Sequence, residues 1–248
     1  MQPILFHVNG FPIHTWGLAA AAAFVLVVVL SHRLAITQNV SEKYIGDLLF
    51  YGAILGLVGG RALYFATHLH ELKTWSSVLN PRHGGVSMYG ALICILPFYF
   101  WYCHTQRCDA KQIADIFAPC LAFGLSVHRL GCFGAGCCFG SETNVPWAIW
   151  LHALWRHPSQ LYEAIPLGLA GCFLLVLHNK KSSHGQVVWA FACVYAPLRF
   201  VGEWFRDSPN RGVVFEDLLS LPQAMTIIAW LIAWIWLRSP YSVEKKNG

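Results

Sequence analysis

The sequence predicts an all-α polytopic membrane protein: a bundle of about seven transmembrane helices, with the N-terminus outside and the C-terminus in the cytoplasm. Hydrophobic residues make up 56% of the 248 positions and charged residues only 12%, whereas soluble domains carry about 25% charged residues. Eleven tryptophans and nine tyrosines suit aromatic belts at the two membrane interfaces. Several apolar windows are each long enough to cross the hydrocarbon.

The apolar windows follow one another along the whole chain, with no repeat and no linker long enough to separate domains. We therefore expect a single membrane domain over residues 1–248. The predicted spans lie near Trp16–Ala35, Tyr44–Thr67, Val86–Tyr102, Ile113–Leu130, Leu161–His178, Val187–Trp204 and Pro222–Leu237.

The distribution of basic residues predicts the orientation. The first sixteen residues contain no Lys or Arg, so they lack the basic region of a cleaved signal peptide. Lys and Arg are in modest excess in the segments that an external N-terminus places inside. The net charge of +5 suits a membrane surface, and no basic helix or patch indicates nucleic acid as a partner. Anionic lipid headgroups would explain the arginines that remain outside, which are Arg82, Arg129, Arg156, Arg206 and Arg211.

A glycine-rich segment with an arginine at its start follows the fourth window. Arg129 begins the run and Gly136 and Gly140 lie near its end. An arginine at the edge of hydrocarbon needs polar partners, and glycines allow the backbone to approach a ligand closely. The segment is equally compatible with a pocket for an anionic headgroup and with a simple turn beside a snorkelling arginine.

Nine cysteines are distributed over the chain, and Cys132, Cys137 and Cys138 lie at the predicted outer face. A disulfide can persist on that side of the membrane. Because no paired CxxC motif is present, the spacing favours neither a zinc site nor a thioredoxin-like pair, and no metal site is expected.

Two ionisable motifs lie in the first half of the chain. Arg61 is inside the second window, with Tyr64 one helical turn later; a charged residue in a span is a functional candidate, although a purely structural arginine is the simpler interpretation. His83-Gly84-Gly85 precedes the third span. A histidine titrates near neutrality and can remove a proton, but many histidines only occupy polar loops.

Two further motifs lie in the second half. Arg199 and Glu203 are four residues apart in the sixth window, so they share a helix face, and two charges in an apolar helix favour a functional role over a simple ion pair. Gln160 and Glu163 lie one turn apart at the start of the fifth span, where helix capping is the simpler interpretation.

Taken together, these motifs resemble the bacterial prolipoprotein diacylglyceryl transferase family, in the family's order and over nearly the whole chain. The most specific are the run from His157 to Glu163 and the His-Gly-Gly loop. The matching segments are Pro3-Ile-Leu-Phe with Gly17, Gly59-Gly60-Arg61 with Tyr64, His83-Gly84-Gly85-Val86-Ser87, Arg129-Leu130-Gly131, His157-Pro-Ser-Gln-Leu-Tyr-Glu163, and Tyr195 with Arg199 and Glu203.

The resemblance implies a seven-span enzyme of the bacterial cytoplasmic membrane that acts in lipoprotein biogenesis. It would transfer the diacylglyceryl group of phosphatidylglycerol to the lipobox cysteine of a prolipoprotein signal peptide and release glycerol phosphate. Its partners would be these two substrates and membrane lipids, with no metal or organic cofactor.

The resemblance also implies the site residues. His83 would be the base or proton shuttle, Arg129 and Arg199 would hold the phosphate, and Glu203 would orient Arg199. The remaining residues implied in substrate binding are Arg61, Tyr64, Gly84, Gly85, Gly136, Gly140, Gln160 and Tyr195.

The chain departs from the family in the glycine-rich segment. Cys132 and Ala135 stand where the family pattern has asparagines, and Cys137 stands where it has a glutamate; Trp16 replaces a tyrosine. Glu142 could compensate only if the loop folds back. Two alternatives therefore remain: a relative with another acceptor or phospholipid, and a non-catalytic lipid-binding or thiol-redox protein on the same scaffold.

Overall fold

A computed structural model describes residues 3–8, 11–69, 85–207, 213–214 and 219–238. Within these ranges the chain forms seven α-helices, so the prediction of a helical protein is confirmed. The helices are α1 Thr15–Thr37, α2 Glu42–Thr67, α3 Met88–Thr105, α4 Ala110–Ala135, α5 Ser159–Lys180, α6 Gln186–Gly202 and α7 Leu221–Arg238.

Among the described residues, three short pairs of antiparallel strands lie between or before the helices, which the prediction of an all-helical chain did not include. Hydrogen bonds between paired strands satisfy backbone N–H and C=O groups that lie outside the helices. In the second hairpin Trp150 lies opposite Trp155, with ring centroids 5.4 Å apart. The paired strands are β1 Ile4–Val8 with β2 Phe11–His14, β3 Ile149–Leu151 with β4 Leu154–Arg156, and β5 Val213–Val214 with β6 Leu219–Ser220.

Four of the helices that the structure describes, α1, α2, α4 and α5, are long and apolar enough to cross a membrane. Large apolar side chains on them are exposed, for example Val58 at 60% and Leu169 at 67%. Exposed apolar surface of this extent matches a hydrocarbon environment. These findings identify a helical membrane protein. The helices α3, α6 and α7 are shorter, at 18, 17 and 18 residues.

The chain divides into two compact units. Of the described residues, the first unit contains those up to Ser31 and those from Ala114 onward, and the second contains those from His32 to Ile113. Both boundaries fall inside helices, within α1 and near the start of α4.

In the second unit, α2 and α3 approach closely through glycines. A Cβ atom added to Gly90 would lie 2.2 Å from the Gly59 carbonyl oxygen, and one added to Gly60 would lie 2.5 Å from a Val86 methyl group. The Ser87 amide donates a hydrogen bond of 2.9 Å to the Gly60 carbonyl oxygen. Small residues let helix backbones pack at short range in a membrane, and these glycines bring α2 and α3 together in this way.

The close contact predicts that Gly90→Ala destabilises the protein. The added methyl group meets rigid backbone, and overpacking of this kind costs about 1–3 kcal/mol. The matched control is Gly52→Ala on α2, because a Cβ atom there meets no atom of the described residues within 4 Å. Thermal unfolding in detergent should show a lower midpoint for Gly90→Ala only. Equal midpoints for the two variants would contradict the packing account.

In the first unit, Asp115 of α4 organises the start of α6. Its carboxylate accepts hydrogen bonds from the backbone amides of Gly185, Val187 and Val188, at 2.8, 3.0 and 2.9 Å. Lys181 lies 3.1 Å away and pairs with the same carboxylate, which is fully buried. The first amides of a helix have no partner within the helix, so Asp115 caps α6 from a neighbouring helix.

The helices α1 and α4 of this unit also meet at short range. A Cβ atom added to Gly131 would lie 2.1 Å from the Cβ of Ala19. One turn along α4, the indole Nε1 of Trp16 donates a hydrogen bond of 3.0 Å to Nε2 of His128. Trp16 therefore donates its indole N–H to the residue that precedes Arg129 in the chain.

Candidate active site

A cluster of four charged side chains connects α4, α5 and α6 in the first unit. Arg129 Nη2 lies 2.8 Å from Glu163 Oε2, and the other oxygen of that carboxylate lies 3.9 Å from Arg199 Nη1. The same Arg199 nitrogen lies 2.7 Å from Glu203 Oε2. Glu163 therefore joins the two arginines that the sequence places in the site.

Local structure explains why these side chains converge. Arg199 is in the last turn of α6, and Glu203 begins the short 3₁₀ helix Glu203–Phe205 that continues it, so the four-residue spacing places both on one face. Glu163 lies in the second turn of α5 and faces them. A Cβ atom added to Gly202 would lie 3.5 Å from Glu163 Oε1, an ordinary van der Waals contact, so Gly202 lies directly beside the carboxylate.

Three members of the cluster are deeply buried and Arg129 is half-buried, and the four side chains carry two positive and two negative charges. Arg199 is 7% exposed, Glu163 4% and Glu203 3%. Removing charges from water costs several kcal/mol for each ion, which mutual pairing offsets only when the geometry is good. A buried set of this kind gives weak evidence for stability and stronger evidence for a function that needs charge at this position.

Arg199 retains hydrogen-bonding capacity within the cluster. In the part of the chain that the structure describes, its Nη1 and Glu203 Oε2 are buried without a hydrogen-bond partner, although they are only 2.7 Å apart. Their attraction is therefore that of an ion pair with poor hydrogen-bond angles. A guanidinium has five N–H donors in a fork that matches carboxylate and phosphate. The pair of arginines can therefore donate hydrogen bonds to an additional anionic oxygen.

The segment after α4 reverses sharply at Gly136. This residue has φ 72°, the left-handed conformation in which glycine commonly ends a helix. Its amide bonds to the Phe133 carbonyl and the Cys137 amide to the Cys132 carbonyl, both at 3.1 Å. These are the two hydrogen bonds of a Schellman motif. The structure thus gives Gly136 a role in helix termination; its proposed contact with substrate stays a prediction.

The reversal brings three thiols together. The Sγ atoms of Cys132, Cys137 and Cys138 all lie within 4.8 Å of one another, a cluster that is able to hold a metal ion. A hydrogen bond from the Cys132 thiol lowers the pKa of Cys138 to about 5, against the effect of burial, and the charges of Arg206 and Arg129 act in the same direction as the hydrogen bond. Burial raises the pKa of Cys137.

The first turn of α5 anchors this segment. Gln160 Nε2 donates a hydrogen bond of 2.7 Å to the Cys137 carbonyl, and Ser159 Oγ donates one of 3.0 Å to the Cys138 carbonyl. Because no side chain in the described part of the chain caps the start of α5, the capping interpretation of Gln160 and Glu163 is wrong. Gln160 Oε1 is buried without a hydrogen-bond partner among the described residues.

Gly140 packs closely against Phe205 and His157. A Cβ atom there would lie 2.5 Å from the Phe205 carbonyl oxygen and 2.6 Å from His157, so only glycine fits. Arg156 donates to the Gly140 carbonyl at 3.3 Å and pairs with Asp207. Arg156 therefore has a structural partner and does not need a headgroup to explain it, contrary to the expectation from the sequence.

Glu142 does not join the buried charges. It is exposed, and its backbone pairs with that of Arg156. Glu163 instead supplies the carboxylate between Arg129 and Arg199. Tyr195, on α6, stacks on Phe191 with centroids 5.5 Å apart.

The second unit contains the remaining described candidates. Arg61 is buried at 8% exposure, with its Cζ 5.3 Å from the centroid of the Phe65 ring. A Cβ atom on Gly85 would lie 2.7 Å from Tyr64 Cε2, so Gly85 approaches the tyrosine ring at a distance that leaves no space for a side chain. Tyr64 also stacks on His68 at 4.5 Å. His83 and Gly84 lie outside the described residues.

Two features of the site were not foreseen from the sequence. Glu163 was interpreted as part of a helix start, although its place in the specific run from His157 to Glu163 was a signal for a role in the site. The convergence of three cysteines depends on the glycine reversal at Gly136, which the spacing alone does not reveal.

Comparison with known proteins gives a consistent result. A sequence model described as prolipoprotein diacylglyceryl transferase matches residues 3–238. Curated proteins named phosphatidylglycerol–prolipoprotein diacylglyceryl transferase include one from Campylobacter curvus, 31% identical, with 97% of this chain and 95% of that protein covered. Another, from Finegoldia magna, is 30% identical with 98% and 97% covered, and one from Clostridium tetani is 27% identical with 94% and 95% covered. Because the match extends over nearly the whole chain, the protein belongs to the prolipoprotein diacylglyceryl transferase family.

Proposed function

We propose that the protein transfers the diacylglyceryl group of phosphatidylglycerol to the lipobox cysteine thiol of prolipoproteins and releases glycerol phosphate. The observation that carries this proposal is the buried cluster of Arg129, Glu163, Arg199 and Glu203, in a chain whose curated relatives bear that activity in their names. The cluster offers positive charge and free donor capacity at low exposure, which suits a phosphodiester of a membrane lipid.

The two arginines would bind the phosphate and stabilise the charge that develops on the departing group. Oriented donors in a water-poor site stabilise such charge far better than water does. The two carboxylates hold the arginines in place and keep the cluster neutral before the lipid binds. Glu203 is then a positioning residue for Arg199, and Glu163 fixes the spacing of both arginines.

The acceptor supplies the nucleophile. The lipobox thiol loses its proton to His83, its sulfur attacks the glyceryl carbon next to the phosphate, a C–S bond forms, and the C–O bond to phosphate breaks. The electron pair leaves with glycerol phosphate. A free thiol has a pKa of about 8.5, so a base with a pKa near neutrality raises the thiolate fraction. No enzyme cysteine takes part in this chemistry.

The remaining candidates would take part in substrate binding. They are Arg61, Tyr64, Gly84, Gly85, Gly136, Gly140, Gln160 and Tyr195. We further propose that residues 1–248 act as one domain of the bacterial cytoplasmic membrane. It would have seven spans and an external N-terminus, in keeping with the charge bias of the sequence.

A comparison of two acceptor peptides is the simplest test of the proposal. Purified protein in vesicles that contain phosphatidylglycerol is mixed with a lipobox peptide, and mass spectrometry follows the mass of one diacylglyceryl group. The cysteine peptide should gain it and the matched serine peptide should not. Consumption of the lipid without modification of the cysteine peptide would favour a different acceptor, to which the replacements at Cys132, Ala135 and Cys137 point.

Glu163→Gln should lower the rate of transfer at least about tenfold. The amide cannot balance two guanidinium groups, so Arg129 and Arg199 repel each other and lose their spacing. The effect follows from losing one charged partner of a buried network. Glu142→Gln is the matched control, since that side chain is exposed. Equal rates for both variants would exclude Glu163 from the site.

A further inference from the structure

The end of α4 and the turn after it form a preorganised set of three sulfur ligands. Cys132 is in the last turn of the helix, and the hydrogen bonds around Gly136 fold Cys137 and Cys138 back over it. Their Sγ atoms lie within 4.8 Å of one another, and all three cysteines are free. Backbone geometry therefore creates the cluster, and no external partner is needed to assemble it.

The first turn of α5 holds the cluster in place from the other side. Gln160 and Ser159 donate hydrogen bonds of 2.7 and 3.0 Å to the carbonyls of Cys137 and Cys138. Both donors are buried, at 1% and 3% exposure. Groups that fix the backbone of ligand residues raise metal affinity by orienting the ligands.

The spacing of the sulfurs suits a soft cation. Three sulfurs each about 2.3 Å from one ion are about 3.8–4.0 Å from one another, so small side-chain rotations bring this cluster to coordinating geometry. Thiolates select zinc and monovalent copper over hard cations. Arg129 and Arg206 act electrostatically on Cys138, and their charges would offset the negative charge that three thiolates leave on such a complex.

Burial decreases from Cys132 to Cys138, which gives an ion access to the three sulfurs from the surface. Cys132 is 1% exposed and lies at the base of the cluster, while Cys138 is exposed. An ion can therefore enter from the surface and reach the buried ligand through Cys137. Among the described residues, this is the set of His, Cys, Asp and Glu side chains whose ligand atoms are close enough to hold a metal ion.

We propose that Cys132, Cys137 and Cys138 form a binding site for one soft d¹⁰ cation, Zn²⁺ or Cu⁺, at the C-terminal end of α4. The site adds a metal-binding property to the chain and does not rest on the transfer reaction, in which no cysteine of the enzyme takes part. Bound metal would tie the segment after α4 to the helix end; two of its ligands, Cys132 and Cys137, stand where the family pattern has an asparagine and a glutamate.

Metal binding by the full-length protein in detergent tests the proposal. Reduced, chelator-treated protein is titrated with Zn²⁺ in one arm and with Cu⁺ under anaerobic conditions in the other, each against a chromophoric competitor. Metal content is measured after desalting. The expected result is one ion per chain in at least one arm. The preferred ion is the one that the protein binds with the higher affinity, measured as its ability to take the ion from the competitor. In the Zn²⁺ arm, Co²⁺ substitution should give a thiolate charge-transfer band.

The variants assign the site. Cys132→Ser, Cys137→Ser and Cys138→Ser combined should abolish stoichiometric binding, whereas Cys172→Ser with Cys193→Ser, two exposed cysteines elsewhere, should retain it. If the triple variant does not fold, Cys138→Ser alone should weaken binding at least about tenfold, since one of three ligands is lost. Unchanged affinity in the Cys138 variant, substoichiometric binding in both arms, or a disulfide among the three in protein kept under reductant would overturn the proposal.

Discussion

Replacing Arg199 with alanine should reduce transfer of the diacylglyceryl group at least about 100-fold, the effect of removing one strong donor that faces developing charge. Arg199 is in contact with both carboxylates of the buried cluster, at 2.7 and 3.9 Å. The same substitution leaves two buried carboxylates with one arginine, which is itself destabilising. The rate must therefore be compared in protein shown to be folded by its helical circular dichroism.

Arg199→Lys separates charge from geometry. Lysine keeps the positive charge but lacks the planar fork that contacts two oxygens at once, so we expect the fold to be retained and transfer to remain low. Arg238→Ala is the matched control, because that guanidinium stacks on Trp234 at 4.3 Å, away from the charged cluster. Full turnover by the folded Arg199 variants would exclude a phosphate-binding role for this residue.

The largest effect on stability is expected for Asp115→Ala. The substitution removes the acceptor of three backbone amides and the partner of Lys181. Each unsatisfied buried donor costs about 1–3 kcal/mol and a broken buried ion pair about 3–5 kcal/mol. We therefore expect a large fall in the midpoint of thermal unfolding in detergent, or failure of the protein to accumulate in membranes.

Asp109→Ala is the appropriate comparison. Asp109 caps its own helix, accepting from the amides of Lys111 and Gln112 at 2.8 and 3.2 Å, and the loss of such a cap costs about 1 kcal/mol. The Asp115 variant should be much the less stable of the two. Similar unfolding midpoints would mean that α6 does not depend on a cap from α4.

The helices were predictable because apolar windows of spanning length dominate the sequence. Their ends were less so. The fourth window was expected to end near Leu130, but α4 continues to Ala135. Within this extension Gly131 packs against Ala19 of α1, where any side chain would collide. Glycine in this sequence therefore serves helix contact as well as turns. The short hairpins carry too few residues for a recognisable alternating pattern.

The charged cluster was predictable where its members are close in sequence. The spacing of Arg199 and Glu203 indicates a shared face, and the structure forms that ion pair. Glu163 was missed because it depends on the packing of α5 against α4 and α6, which no local spacing encodes. Asp115 was missed for the same reason, because its amide partners lie at least 70 residues away along the chain.

The most direct test follows both products of the reaction at once. Purified protein receives phosphatidylglycerol labelled in the diacylglyceryl and headgroup portions, together with a lipobox-cysteine peptide. We expect one glycerol phosphate released for each peptide modified, and a parallel loss of both products in His83→Ala and in the folded Arg199→Lys variant. Release of headgroup without peptide modification, or transfer that both variants retain, would contradict the proposed transferase.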